Sequence, residues 1–227
     1  MATEAATPSA GMSGRVLLLA MLGVLLLAVG AIAVFAFVLR DAEPELDHLG
    51  KVPAFTLVDE SGQRFTEEAL RGHPTIVSFV FTRCDSICPT LSGRAQRLQE
   101  KTADRKGVAI KLISFSVDPT YDTPVRLAEY AKRFSADPTR WRFLTGPPDK
   151  VTALVTGPFM TLMDREGITA SGAPSIVHSG YFILVDADLE IRGVYDSNDE
   201  QRLDEMIHHA RYLARISDDR SYKFGGT

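Results

Sequence analysis

The sequence contains no long block of like charge, no internal repeat, no low-complexity tail and only two cysteines. Without a basic block, and with a net charge of −4 and a pI near 5.8, the chain lacks the electrostatic footprint of a nucleic-acid binder, and that class of partner is set aside. The scarcity of cysteine confines thiol chemistry to Cys84 and Cys88, which can bond to each other or share a metal. Met1 to Arg15 is poor in arginine and carries Glu4, unlike the basic amphipathic presequence of an imported mitochondrial protein. A bacterial inner membrane is the expected location.

That location follows from the longest apolar run. Val16 to Leu39 holds 24 apolar or glycine residues without a charge, and about 20 cross a bilayer as a helix. A cleaved signal peptide, ending in small residues such as Ala31, Ala33 and Ala36, is the competing reading, but the run is longer than a usual signal core. Arg15 precedes the run and Arg40 follows it, so the flanking charges do not decide the orientation. A short arm, one span and a large C-terminal part favour an N-in anchor with the domain in the periplasm, where thiols face oxidation. The expected organisation is a cytoplasmic arm over 1–15, a transmembrane anchor over 16–39, an acidic linker over 40–50, a folded domain over 51–217 and a tail over 218–227.

Within the domain, Phe55–Val58 and Arg64–Phe65 flank the turn residues Asp59 to Gly62 and predict a β-hairpin, followed by a short helical turn capped by Thr66. Thr75 to Phe81 and Val108 to Val117 are apolar and β-branched enough for strands buried on both faces. Helices are expected over Pro89–Asp104, Pro124–Phe134, Pro148–Val155 and Asp199–Arg215, with a short strand at Trp141–Leu144. Phe159–Met163 reads as an irregular or edge segment and Gly167–Ser179 as a long loop. Tyr181–Val185, the turn Asp186–Asp188 and the alternating Glu190–Tyr195 predict a second hairpin. This order gives an α/β, thioredoxin-like fold, a mixed central sheet flanked by helices, behind an N-terminal transmembrane helix.

The two cysteines stand four apart where the Thr75 strand gives way to a helix. There the unsatisfied N–H groups and the helix dipole favour thiolate over thiol. A plain structural disulfide is the alternative, but so short a loop would contribute little stability by the entropy model. Four histidines read as bystanders: His48 in the linker, His73 before Pro74, and His208 and His209 on the last helix. His178 differs, because it leads into the Tyr181 strand, which this fold places beside the strand that ends at the cysteines. Two thiolates and one imidazole form a soft three-ligand set that suits Cu(I) better than magnesium or calcium and lacks the fourth ligand of structural zinc.

From Val52 to Arg215 the chain resembles the Sco/SenC proteins, membrane-anchored thioredoxin-like copper proteins of cytochrome c oxidase assembly. The resemblance rests on Thr82-x-Cys84-x-x-x-Cys88-Pro89-x-x-Leu91, Ser116-Val117-Asp118-Pro119-x-x-Asp122-Thr123-Pro124, Phe143-Leu144-Thr145-Gly146 and His178-Ser179. It implies that Cys84, Cys88 and His178 bind copper, as Cu(I) and in a second state as Cu(II), with the Asp118 loop as a shaping or partner-facing element. It implies a chaperone, not a turnover enzyme, that passes copper to the copper-bearing subunit of cytochrome c oxidase and meets other copper chaperones or thioredoxin-like reductants. Asp122 reads as a cap of the helix that follows it. The sequence departs from the family pattern at Asp85, where proline is usual, and at Val177, where aspartate often stands. Thiol–disulfide exchange through Cys84 and Cys88 is the runner-up, since it needs both sulfurs but not His178. A thiol peroxidase is a third reading and needs an activating arginine, for which Arg83 is adjacent in sequence.

Overall fold

A computed structural model describes residues 14–40, 44–84, 87–103, 108–155, 159 and 180–224. The chain divides into two units, Met1–Glu43 and Pro44–Thr227. In the first, α1 (Gly14–Arg40) is a 27-residue helix, and Gly14–Phe35 within it is long and apolar enough to cross a membrane. Its leucines and valines from Val16 to Val34, like Phe35, are exposed.

The second unit is built on one mixed sheet, which among the described residues has the strand order β2-β1-β5-β4-β3-β6-β7. The strands are β1 (Thr56–Asp59), β2 (Arg64–Thr66), β3 (Thr75–Val80), β4 (Lys111–Ser116), β5 (Trp141–Thr145), β6 (Tyr181–Val185) and β7 (Ile191–Asp196). The central strands β3, β4 and β5 run parallel, and antiparallel partners flank them on both sides. Parallel neighbours require crossovers, supplied by α2 (Ile87–Lys101) between β3 and β4 and by α3 (Pro124–Arg133) between β4 and β5. Two more α-helices, α4 (Pro148–Leu154) and α5 (Glu200–Phe224), are described in this unit.

Every residue of β3 is buried, because side chains alternate across a sheet covered on both faces. Ile76 and Val80 join Leu91, Ala95 and Leu98 of α2, Leu127 of α3 and Met206 and Ala210 of α5 in one apolar cluster. Val77 and Phe79 join Leu57, Phe115, Val151 and Phe159 in the other. The polar atoms inside are matched: Ser78 and Ser114 share a hydrogen bond of 2.8 Å, and the Trp141 indole donates to Ser114 at 3.0 Å.

Most expected elements are present, with four differences of physical interest. Helix α2 starts at Ile87, two residues before Pro89, so the proline occupies the third helical position, where a missing N–H still costs no intrahelical bond. The turn after β2 is a 3₁₀ helix, Glu67–Leu70, and the Thr66 side chain makes no capping bond; Glu67 instead accepts the Phe55 N–H at 2.8 Å. Helix α5 runs to Phe224, past the expected end at Arg215, with Ile216 still packed against the core. Leu49 donates to the Ile191 carbonyl at 3.0 Å and Val52 to that of Leu189 at 2.9 Å, so part of the segment read as a linker is fixed along β7. Residues 160–163 and the loop Gly167–Ser179 lie outside the described residues.

Candidate metal centre

Both cysteines are thiols. Strand β3 ends at Val80, Thr82 and Arg83 turn the chain, and the Cys84 N–H closes that turn on the Phe81 carbonyl at 3.2 Å. Cys88 is the second residue of α2, so its N–H is among the helix-end donors that no intrahelical carbonyl can reach. Cys84 Sγ accepts that N–H at 3.4 Å. The sulfur thus stands where a capping oxygen usually does, and this hydrogen bond ties the two cysteines together. Cys84 and Cys88 are 7% and 2% exposed, packed in the same cluster as Leu91 and Tyr130.

Burial decides the protonation of Cys88. Its thiol is pushed up to about 12, first by desolvation and then by its hydrogen bond with Cys84; a backbone hydrogen bond at Phe81 opposes this, and the charges of Cys84 and Asp122 add smaller upward effects. The expectation that a helix N-terminus favours thiolate is therefore corrected for Cys88: the dipole acts, but removal from water outweighs it. Tyr130, bonded to Ser92 at 2.9 Å, is likewise pushed up to about 12, mainly by burial and further by the cysteines and Asp122.

Asp122 also differs from its expected role. Thr123, not Asp122, caps α3, its side chain accepting the Arg126 N–H. The Asp122 carboxylate, fully buried, instead receives the Thr82 hydroxyl at 2.5 Å, the Thr82 N–H at 3.2 Å and the Ser116 hydroxyl at 2.6 Å. The loop after β4 thereby grips the turn that carries Cys84. Outside this grip, Arg83 Nε donates to Asp118 at 2.6 Å, with its guanidinium 4.7 Å from the centre of the Tyr121 ring. Arg83 is thus engaged by Asp118 and Tyr121.

The structure leaves the four bystander histidines in ordinary roles. His48 faces Glu190 at 3.1 Å, His73 Nδ1 meets the Ala109 carbonyl at 3.0 Å, His209 bonds the Tyr195 hydroxyl at 2.7 Å, and His208 is exposed. His178 lies outside the described residues, as do Asp85 and Val177. Among the described residues no three His, Cys, Asp or Glu side chains cluster closely enough to hold a metal. The described chain resumes at Gly180, in the left-handed region at φ +61°, where an added Cβ would stand 3.0 Å from Ile87 Cδ1 and 3.1 Å from Ser197 Oγ. The residue before Cys88 and the residue two after His178 are therefore neighbours.

The Thr82–Asp122–Ser116 network was not read from the sequence, although all three residues stand in the motifs quoted above. Its signal is faint but physical: polar residues at the C-terminal ends of two adjacent buried parallel strands need partners, and β3 and β4 are in register from Thr75–Lys111 to Val80–Ser116.

Residues 44–214 match the SCO1/SenC family model. The SCO1 protein homolog of Bacillus subtilis is 27% identical over 167 residues, covering 73% of this chain and 84% of that protein. BsSco, described as "a member of the Sco family of cytochrome c oxidase assembly proteins" in which a disulfide switch was identified, superposes with a TM-score of 0.59 at 26% identity, covering 75% of this chain and 99% of that one. Arabidopsis thaliana ScoI, solved with copper bound, gives a TM-score of 0.57 at 25% identity, covering 71% of this chain and 99% of that one. With the thioredoxin-like sheet, the paired thiols and a family match spanning most of its length, the chain belongs to the SCO1/SenC family.

Proposed function

We propose that this protein is a copper metallochaperone of the bacterial inner membrane, anchored by α1 with its folded unit in the periplasm. Cys84, Cys88 and His178 take up copper as Cu(I), and the protein delivers it to the copper-bearing subunit of cytochrome c oxidase. The observation that carries this reading is the direct contact between the two cysteines, with Cys84 Sγ 3.4 Å from the Cys88 nitrogen. Soft sulfur donors select Cu(I) over hard cations. The packing of Gly180, two residues after His178 in the chain, against Ile87, the residue before Cys88, supports His178 as the third ligand. The copper-bound Arabidopsis relative and the oxidase-assembly description of BsSco support the cargo and the recipient.

The chemistry of the donors sets the pH behaviour of uptake. A thiol must lose its proton to ligate a metal, so copper displaces protons as it binds, and a Cys88 held protonated makes apparent affinity fall as the solution is acidified. An anaerobic Cu(I) titration of the reduced full-length chain in detergent, against a chromogenic chelator, tests the reading. One tightly held copper per chain, weakened at least a hundredfold in His178→Ala, is expected; an affinity unchanged by that substitution rejects the three-ligand site.

A second reading, thiol–disulfide exchange with a cuproprotein partner or a thioredoxin-like reductant, draws on the same pair of buried thiols and on the disulfide switch identified in BsSco. The raised pKa of Cys88 works against it as the attacking thiol, since thiolate is the nucleophile.

A further inference from the structure

We propose that Asp122 is the positioning residue of the dithiol turn: through Thr82 and Ser116 it fixes the backbone that presents the Cys84 sulfur to the N-terminus of α2. The inference rests on the reading of Cys84 and Cys88 as the metal-binding thiols and goes beyond it in naming what holds them in place.

A fully buried carboxylate that caps no helix needs another reason to be where it is. Its partners supply one. Two of its three donors, the Thr82 N–H and hydroxyl, belong to the residue two before Cys84, and the third, Ser116, ends the neighbouring parallel strand. Charge-assisted hydrogen bonds in a low-dielectric interior are short and strong, and several on one carboxylate over-determine the backbone they hold. Ser116 Oγ also accepts the Asp118 N–H at 3.1 Å, and the Asp122 N–H bonds the Asp118 carbonyl at 2.8 Å, so the anchor is itself braced. In contrast, the outer pair Arg83–Asp118 has an arginine more than half exposed and is screened by water. The inner carboxylate, not the outer ion pair, sets the turn.

Holding the turn in place favours the arrangement in which Cys84 Sγ accepts the Cys88 N–H, which is an arrangement of two thiols. Its loss therefore moves the dithiol–disulfide equilibrium toward the disulfide and leaves the sulfurs less well placed to share a metal.

The test uses the full-length chain in detergent, with Asp122→Asn, Thr82→Val, Thr82→Ser and Arg83→Gln. Two quantities are read: Cu(I) affinity by chelator competition, and the Cys84–Cys88 equilibrium constant in a dithiothreitol redox buffer. Asp122→Asn and Thr82→Val are expected to weaken Cu(I) binding about tenfold or more and to shift the equilibrium about tenfold toward disulfide, a change of about 30 mV. Thr82→Ser, which keeps the hydroxyl, restores both, and Arg83→Gln leaves both within about twofold. Wild-type values of both quantities in folded Thr82→Val overturn the proposal, and so does a loss that Thr82→Ser fails to rescue. If Asp122→Asn does not fold, the threonine pair still decides. If the wild-type chain takes no copper, the functional reading fails while the redox equilibrium continues to test Asp122.

Discussion

At Cys88 two consequences of position oppose each other. The helix N-terminus stabilises negative charge by a few tenths to about 1 kcal/mol where it is exposed, whereas enclosure at 2% exposure removes the thiolate's hydration. The result is a thiol near 12, for which the thiolate fraction at pH 7 is on the order of one in 10⁵. Alkylation of the Cys88 peptide by iodoacetamide, followed by mass spectrometry, should be very slow at neutral pH and rise about tenfold per pH unit without a plateau below pH 10. A plateau near pH 8 would contradict this. The sign of the linkage follows: an unfolded Cys88 loses its proton near pH 9 while the folded one keeps it, so its contribution to stability is complete below pH 9 and is lost as pH rises toward 12. The sulfurs themselves were legible in the sequence, because only two cysteines exist and both sit at a strand-to-helix junction. The protonation was not, since it depends on how closely Leu91, Tyr130 and their neighbours enclose them. Asp122 was misread for a related reason: aspartate before Thr-Pro fits a helix cap by local rules, and only the register of β3 with β4 reveals Thr82 and Ser116 as its partners.

The elements around the site carry their own constraints. Helix α2 is held at its C-terminal end by Arg140, whose guanidinium donates to the carbonyls of Gln99, Thr102 and Ile110 at 3.0 to 3.2 Å and to the Thr102 hydroxyl at 2.9 Å. Arg140→Ala removes these donors from the end of α2 and from the Ile110 carbonyl and should cost about 2–4 kcal/mol in urea unfolding, since orphaned acceptors cost more than a bond contributes. An effect below about 0.5 kcal/mol would mean that water replaces the arginine. Gly180 opens β6 at a positive φ with Ile87 and Ser197 close by, so Gly180→Ala should destabilise by about 1–2 kcal/mol through αL strain and contact with the start of α2. Equal stability would show that this corner relaxes freely. Strand β6 was predicted at its observed limits because the apolar run Tyr181–Val185 is bounded by glycine and aspartate. Arg140 carried no such mark: a lone arginine before Trp141 reads as a solvated residue until the strand order places it over the end of α2.

At the scale of the molecule, a unit with apolar clusters on both faces of its sheet should fold without α1. Chains beginning at Pro44 and at Pro53 separate the contribution of the segment between them. Leu49 and Val52 bond to β7, and the Val52 side chain is buried, so the shorter chain should be less stable by roughly 2–4 kcal/mol while the longer one unfolds cooperatively. Indistinguishable urea midpoints would reduce the segment to a tether. The overall class was legible because strand–helix–strand order and handedness leave few topologies open. The fixed stretch along β7 was not, since Leu49-Gly50-Lys51-Val52 is too short and mixed to show strand periodicity and gains order only from the edge it lies on.

In the proposed site Cys84, Cys88 and His178 together hold one Cu(I). Copper K-edge X-ray absorption on the reduced, anaerobically loaded full-length chain tests it most directly, alongside His178→Ala. Two sulfur scatterers and one nitrogen in the wild-type chain, with the nitrogen lost in the variant, is the predicted result. Identical spectra from the two proteins, or a shell of three or more sulfurs drawn from more than one chain, would contradict it.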